Sequence, residues 1–148
     1  MTAAVSFATE NGIALRPGEQ GDAHYVMSTW LRTYGHRSSY ADAMGQPFWT
    51  EHHDAIARLL ARSVTMVACA DEDPETIIAF AVYEPPDERI VPNDATLVHW
   101  VQVRKEFRGH GIARRLLAPV RGRVIVTHLT RGTRIPAGWS VNLYRGLR

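Results

Sequence analysis

A mixed α/β chain built on one central sheet, closer to α+β than to regular alternation, is the fold class predicted by three features of the sequence. Two β-rich runs, 64–70 and 76–84, flank Asp71-Glu-Asp-Pro-Glu75, whose acids and proline mark a turn and hence a hairpin. Upstream of the hairpin, apolar residues recur at helical spacing in two segments. Downstream, a third β-rich run, 95–103, leads through a glycine-rich turn into a short amphipathic stretch. The resulting order, β-α-α-β-β-β-α-β, has its helices on either side of a hairpin rather than between every pair of strands.

Each element has a local reason. Residues 1–11 show no clear period and read as a leader, while 12–17 read as a short strand stopped by Pro17, which has no N–H for a ladder. Asp22 is a helix cap candidate, and Tyr25, Val26, Trp30 and Leu31 share a face up to about Thr33. Residues 35–47 are polar and small, predicting a loop with at most a helical turn. Thr50 is the next cap candidate, with Glu51 and Asp54 in the first turn and Ile56, Leu59, Leu60 and Ser63 on one face. Pro85-Pro86 ends the hairpin and opens a loop over 85–94. A helix is predicted over 111–119 and a fifth strand over 123–128; residues 129–148 have weak periodicity. There are no internal repeats.

With 148 residues, 45% hydrophobic and 22% charged, the chain has the composition of one globular domain spanning 1–148. A single cysteine excludes a disulfide framework, no Cys/His spacing resembles a metal site, and Cys69 lies in an apolar strand as a small hydrophobe. The longest apolar run, 77–83, suits a buried strand and falls short of the about 18 residues of a membrane span. The first basic residue is Arg16, so the start lacks the charge of a signal peptide, and a cytoplasmic location without membrane association is expected. The net charge of +2 conceals a division: residues 1–103 hold 6 Lys/Arg against 14 Asp/Glu, and residues 104–148 hold 11 against the single acid Glu106. That asymmetry points to an anionic partner for the C-terminal part. Nucleic acid is disfavoured among such partners, because no basic-plus-aromatic pattern of known type is present.

The chemically informative stretch is Val101-Gln-Val-Arg-Lys-Glu-Phe-Arg-Gly-His-Gly-Ile-Ala-Arg-Arg-Leu-Leu117. Glycines between a strand and a helix allow a tight turn that aims several N–H groups at one point, a backbone cradle for phosphate. Arg108, Arg114 and Arg115 add charge at its rim. The other reading of these residues is a packing turn with solubilising arginines. It is neither a complete dinucleotide fingerprint nor a Walker loop, which would need Gly-Lys-Ser/Thr.

Val103-Arg-Lys-Glu-Phe-Arg-Gly-His-Gly-Ile-Ala113 resembles the acetyl-CoA-binding signature of the GNAT superfamily of N-acetyltransferases, Arg/Gln-x-x-Gly-x-Gly/Ala, with Arg108, Gly111 and Ala113 at its defining positions. Val103 and Phe107 are similar to the strand end and turn that precede it, and Ile13-Ala-Leu-Arg-Pro17 followed by Asp22 is similar to the family's opening. The resemblance spans roughly 12–128 and implies the GNAT fold, a mostly antiparallel central sheet flanked by helices, with acetyl-CoA as co-substrate. It implies that the backbone of Gly109, His110, Gly111, Ile112, Ala113 and Arg114 takes the pyrophosphate, that Val101 and Val103 pair with the pantetheine arm as an added strand, and that the Val103 N–H faces the thioester oxygen. The implied reaction is direct attack by an amine on the thioester. The acceptor is a small-molecule or peptide amine of unspecified identity.

Such a reaction needs a base. His99 is the leading candidate: it lies four residues before Val103, and strand period 2 places the two on one face of the sheet. A buried histidine satisfied by a backbone partner is the competing reading. Tyr144, in Asn142-Leu-Tyr-Arg-Gly-Leu147, faintly resembles the family's general acid, against a packing tyrosine. Glu84, at the end of the third strand, reads as a solvated strand-end acid, against a second carboxylate near the acceptor, and adjacent His52-His53 point about 100° apart and make no metal site. Among the tryptophans, Trp49 is the best pocket candidate, while Trp30, Trp100 and Trp139 suit a core.

The resemblance departs at the C-terminal end, where 35 residues follow Ala113 and leave room for the fifth strand and one further short element. A second copy of the chain would complete such a sheet, so a homodimer is expected. A non-catalytic module using the basic end to bind an anion or to assemble is the alternative to an enzyme.

Overall fold

The computed structural model describes residues 11–87 and 95–147; the expected leader and most of the 85–94 loop lie outside them. Strand β1 (Ile13–Pro17) is followed by α1 (Ala23–Arg37), α2 (Ser39–Met44) and α3 (Gln46–Arg62), and then by β2 (Val64–Ala70) and β3 (Asp73–Glu84). Strand β4 (Thr96–Val103) leads to α4 (Ile112–Leu116), β5 (Val124–Val126) and β6 (Ser140–Val141). The six strands form one sheet in chain order. Strands β1 to β4 are antiparallel neighbours, while β4–β5 and β5–β6 are parallel. The expected mostly antiparallel sheet with flanking helices is therefore observed.

Both faces of the sheet are covered, which is why β2 and β3 read as nearly continuous apolar runs. Val67, Cys69, Phe80, Val82 and Trp100 pack beneath Val26, Trp30, Tyr34, Ile56 and Leu59 of α1 and α3. Ala68, Ala79, Ala81, Tyr83 and Val98 pack beneath Ile112 and Leu116 of α4. Trp30 stacks on Trp100 with ring centroids 5.9 Å apart, so these tryptophans are core, as the sequence suggests. Cys69 is buried and free.

Several elements differ from expectation. Strand β3 begins at Asp73 and not at 76, α4 ends at Leu116 and not at 119, β5 is shorter than 123–128, and α2 stands within the expected 35–47 loop. Three further differences have an evident cause. Asp22 precedes α1, but its carboxylate does not cap that helix. It accepts 2.6 and 2.9 Å bonds from Arg16 and a 2.7 Å bond from the Glu19 N–H. An ion pair between β1 and the helix start outcompetes the local cap, and the Arg16 guanidinium holds the Asp22 carboxyl below its usual range. Helix α1 runs to Arg37, past the expected end at Thr33, because Tyr34 and Gly35 are buried in its last turn. Helix α3 starts at Gln46, not at Thr50. Pro47 occupies its first turn, where a missing N–H costs nothing, and the Thr50 hydroxyl bonds back to the Gln46 carbonyl.

Gly35 has a packing reason rather than a conformational one. A Cβ there would lie 2.2 Å from the Trp49 ring. Trp49 lies across that glycine and against His36; it lines a small cavity of about 260 Å³ with Leu31 and His53, and neither of the two larger ones. In an ordinary helix Gly→Ala stabilises by up to about 1 kcal/mol. Here Gly35→Ala will instead destabilise by about 1–3 kcal/mol through overpacking, seen as a lower urea midpoint and a changed tryptophan emission. A raised midpoint would refute this account of Gly35.

Candidate functional site

Strand β4 has unequal neighbours. On one side β3 pairs with it from Leu97 to Val103. On the other, β5 pairs only through Thr96, Val98 and the residue between them. A parallel neighbour requires a crossover of a dozen or more residues. That crossover carries the glycine turn and α4. Beyond Val98 the strands part, and the gap opens into a cavity of about 500 Å³. Its walls include Val101, Val103, Arg108, Gly109, Gly111, Ile112 and Ala113, so the structure gathers most of the expected acetyl-CoA residues around one space. His110 and Arg114 are exposed on the same turn and helix start.

The turn is held by its backbone. Gly109 and Gly111 have φ of 82° and 75°, left-handed values that favour glycine, and nothing lies within 4 Å of the position a Cβ would take at either. The Arg108 Nε–H donates to the Val103 carbonyl at 3.1 Å, closing the turn onto the strand end. Arg37 of α1 and Arg134 of the C-terminal segment also line the cavity, as does Trp139. None of these three is in the motif; their positions depend on chain segments distant in sequence.

His99 sits at a β-bulge. Val82 pairs with Trp100 and Tyr83 with Val98, which leaves His99 as the extra residue. Period 2 therefore breaks between His99 and Val103. Val103 packs on the α4 side. The His99 ring instead lies 6.4 Å from that of His128, which contacts Trp30 and Tyr34 on the α1 side. The expectation that His99 and Val103 share a face is corrected by that one inserted residue.

Both His99 ring nitrogens are engaged. Nε2 lies 2.7 Å from a Glu84 carboxylate oxygen and Nδ1 2.7 Å from the Thr127 hydroxyl. Thr127 Oγ1 lies 2.9 Å from His128 Nδ1, and His128 Nε2 lies 3.0 Å from His52 Nε2. Arg62 donates to the other Glu84 oxygen at 2.9 Å. Glu84 is thus no solvated strand-end acid: burial pushes its carboxyl up, but bonds from His99 and Arg62 outweigh this and lower it. Ionised Glu84 accepts only, so His99 carries its proton on Nε2 and accepts from Thr127 on Nδ1. Thr127 then accepts from His128 Nδ1–H, and His128 Nε2 accepts from His52 Nε2–H. The nitrogens face one another in series rather than a common point, and among the described residues no cluster of His, Cys, Asp and Glu could hold a metal ion.

A second cavity, of about 800 Å³, lies between α2, α3 and the C-terminal segment. His52 and His128 line it, and His128 also lines the first. Tyr144, the expected acid, is 77% exposed and borders this second cavity rather than the first.

The sequence pattern of the acetyltransferase (GNAT) family matches residues 26–129. The chain belongs to that family, as the fold and the glycine turn indicate. No curated protein matches the chain. Among solved structures, it is similar to the putative acetyltransferase YycN from Bacillus subtilis, at 14% identity and a TM-score of 0.60, covering 80% of this chain and 82% of that one. It is also similar to a possible acetyltransferase from Clostridium difficile 630, at 14% identity and 0.53, with 82% of each chain covered. A third likeness, to the GNAT family N-acetyltransferase YhbS from Escherichia coli in complex with CoA, is at 20% identity and 0.48, covering 76% and 56%. No helix among the described residues is long and apolar enough to cross a membrane.

Burial holds His52 down to about pKa 4 and His128 well below its ordinary value. The unfolded chain therefore binds protons below pH 6.5 that the folded chain refuses, and stability falls as pH drops from about 6.5 towards 4. The Tm should decline by on the order of 5 °C across that window. His52→Gln should flatten the decline, measured as the slope of Tm against pH. An equal slope in the variant would show that His52 is not held neutral.

Proposed function

We propose that the protein is an acetyl-CoA-dependent N-acetyltransferase that passes the acetyl group directly to a primary amine in a ternary complex. The observation that carries this reading is the unpaired flank of β4 ending in the glycine-held turn. Such a flank presents peptide groups to an extended ligand; Val101 and Val103, which line the cavity, would pair with the amides of a pantetheine arm. The backbone of 109–114 takes the pyrophosphate, with Arg37, Arg108 and Arg134 around the same space for the remaining phosphate charge. The thioester then lies near the Val103 N–H, which stabilises the oxygen as it becomes negative.

The amine must arrive as a neutral nucleophile. Glu84 and His99 together form the base: the carboxylate stabilises the imidazolium that results from proton uptake. After attack, the second proton on nitrogen passes to the departing thiolate, which completes the exchange without a covalent enzyme intermediate. Tyr144 has no part in this scheme, since it faces the other cavity.

Acetyl-CoA should raise the Tm of the wild-type protein, and Gly111→Val should abolish the shift while leaving the far-ultraviolet spectrum unchanged. Arg114→Glu tests the same site without strain and should weaken binding by about 10–100-fold, read by calorimetry. If no CoA ester shifts the wild type, the enzyme reading fails and a binding or assembly role for the basic segment takes its place.

A further inference from the structure

We propose that the acceptor is an amine that carries a carboxylate or phosphate group, and that Arg37 and Arg134 bind this group at the wall of the first cavity opposite the glycine turn. The inference rests on the N-acetyltransferase reading and narrows it, because the three guanidinium groups around that cavity are not equivalent. Arg108 belongs to the turn itself, and its Nε–H is bonded to the Val103 carbonyl at 3.1 Å. It stays with the cofactor. Arg37 ends α1, and Arg134 lies on the segment that follows β5. Among the described residues neither of these two guanidinium groups has a hydrogen-bond or ion-pair partner. By contrast Arg131, on the same segment as Arg134, lies 3.9 Å from Asp42.

The cavity draws its walls from both faces of the sheet. Val103, Ile112, Leu117 and Trp139 pack on the α4 side, and the turn ahead of α4 sets the cofactor along that side. Thr33, Arg37, Trp100 and His128 come from the α1 side, to which the bulge also turns His99. An amine that meets the thioester beside Val103 therefore enters between His99 and the α1 wall. The Arg37 carbonyl accepts a 3.4 Å bond from the Arg131 N–H, which ties the C-terminal segment to the end of α1. A turn closed by the Thr133 N–H on the Thr130 carbonyl at 3.1 Å returns the chain to the cavity at Arg134. Two segments distant in sequence thus bring unpaired charges of one sign to the acceptor's way in.

The chemistry of the lining fixes the class of acceptor. Among the described residues that line the cavity there is no aspartate or glutamate. Glu84 stands behind His99 and is engaged by that ring and by Arg62. The ammonium end of an acceptor consequently finds no ionic partner in the wall, and recognition falls to the rest of the molecule. Two guanidinium groups without a partner call for an anion, and the planar fork of arginine fits a carboxylate or a phosphate with paired hydrogen bonds. Thr33, Thr130 and Thr133 add hydroxyl groups to the same wall. A diamine would set its second cation against the same two arginines and is rejected.

Turnover by the full chain, followed by CoA release, tests this with acceptors in matched pairs. The pairs are β-alanine with propylamine, 4-aminobutyrate with butylamine, and O-phosphoethanolamine with ethanolamine. In at least one pair the member with the anionic group should have the higher kcat/KM, by about 10–100-fold. A carboxylate optimum and a phosphate optimum both uphold the proposal, and the outcome names the anion. Arg37→Gln and Arg134→Gln, both at exposed positions, should each raise KM for the preferred acceptor by about 10-fold, with KM for acetyl-CoA changed by less than about 2-fold. No advantage for the anionic member in any pair, or an advantage that survives both substitutions, overturns the proposal. So does a loss of acetyl-CoA affinity equal to the loss for the acceptor, since the two arginines would then serve the cofactor. Calorimetry with acetyl-CoA alone reads the foundation separately: absence of binding by the wild type overturns the acetyltransferase reading beneath the proposal.

Discussion

Strand β4 is held along nearly its whole length by β3 and over only three residues by β5, and the first cavity opens where that inequality begins. A sheet normally satisfies the peptide groups on both edges of an interior strand. Here the parallel partner diverges after Val98, because the crossover must make room for a turn built on two left-handed glycines and a five-residue helix. On the antiparallel side the register shifts by one residue, a bulge at His99. The residue that the bulge displaces is carried to the α1 side, where it meets Glu84 and Thr127.

Burying polar groups is costly unless each finds a partner, and the cost rises steeply for charge. His99 is 1% exposed and His128 6%, so an unpartnered nitrogen on either would be a serious defect. The series from Arg62 to His52 removes that defect by making every group the partner of the next. Glu84 decides the outcome. Desolvation alone would favour its neutral form, yet two charge-assisted or strong hydrogen bonds prevail. The ionised carboxylate fixes the donor at His99 Nε2, and contacts of 2.7 to 3.0 Å continue the series as far as α3.

What was legible in the sequence was what depends on near neighbours. Strand β2 was read at its true limits, since β-branched and apolar residues bounded by a turn sufficed, and the glycine turn was legible because φ above zero leaves a residue signature. The start of α3 was misread because Thr50 has the chemistry of a cap but Pro47 already begins the helix. Asp22 was misread because its partner, Arg16, belongs to another element. The histidine series was illegible for the same reason on a larger scale. His52 and His128 stand 76 positions apart, and neither has a motif. One inserted residue at the bulge was enough to reverse the face assigned to His99.

The charge division acquires a structural meaning once its arginines are followed individually. Arg108 and Arg134 of the basic segment, joined by Arg37 from the acidic one, surround the first cavity. Others serve the chain itself: Arg104 donates to Tyr25 and lies over its ring, Arg115 reaches the Ile13 carbonyl, and Arg121 bonds the Val120 carbonyl. The +10 balance is therefore not one patch but a mixture of cavity-lining and structural guanidinium groups. The second cavity carries none of that excess, with one acid, one base and a mostly apolar lining. The two spaces therefore differ in charge, and His128 borders both.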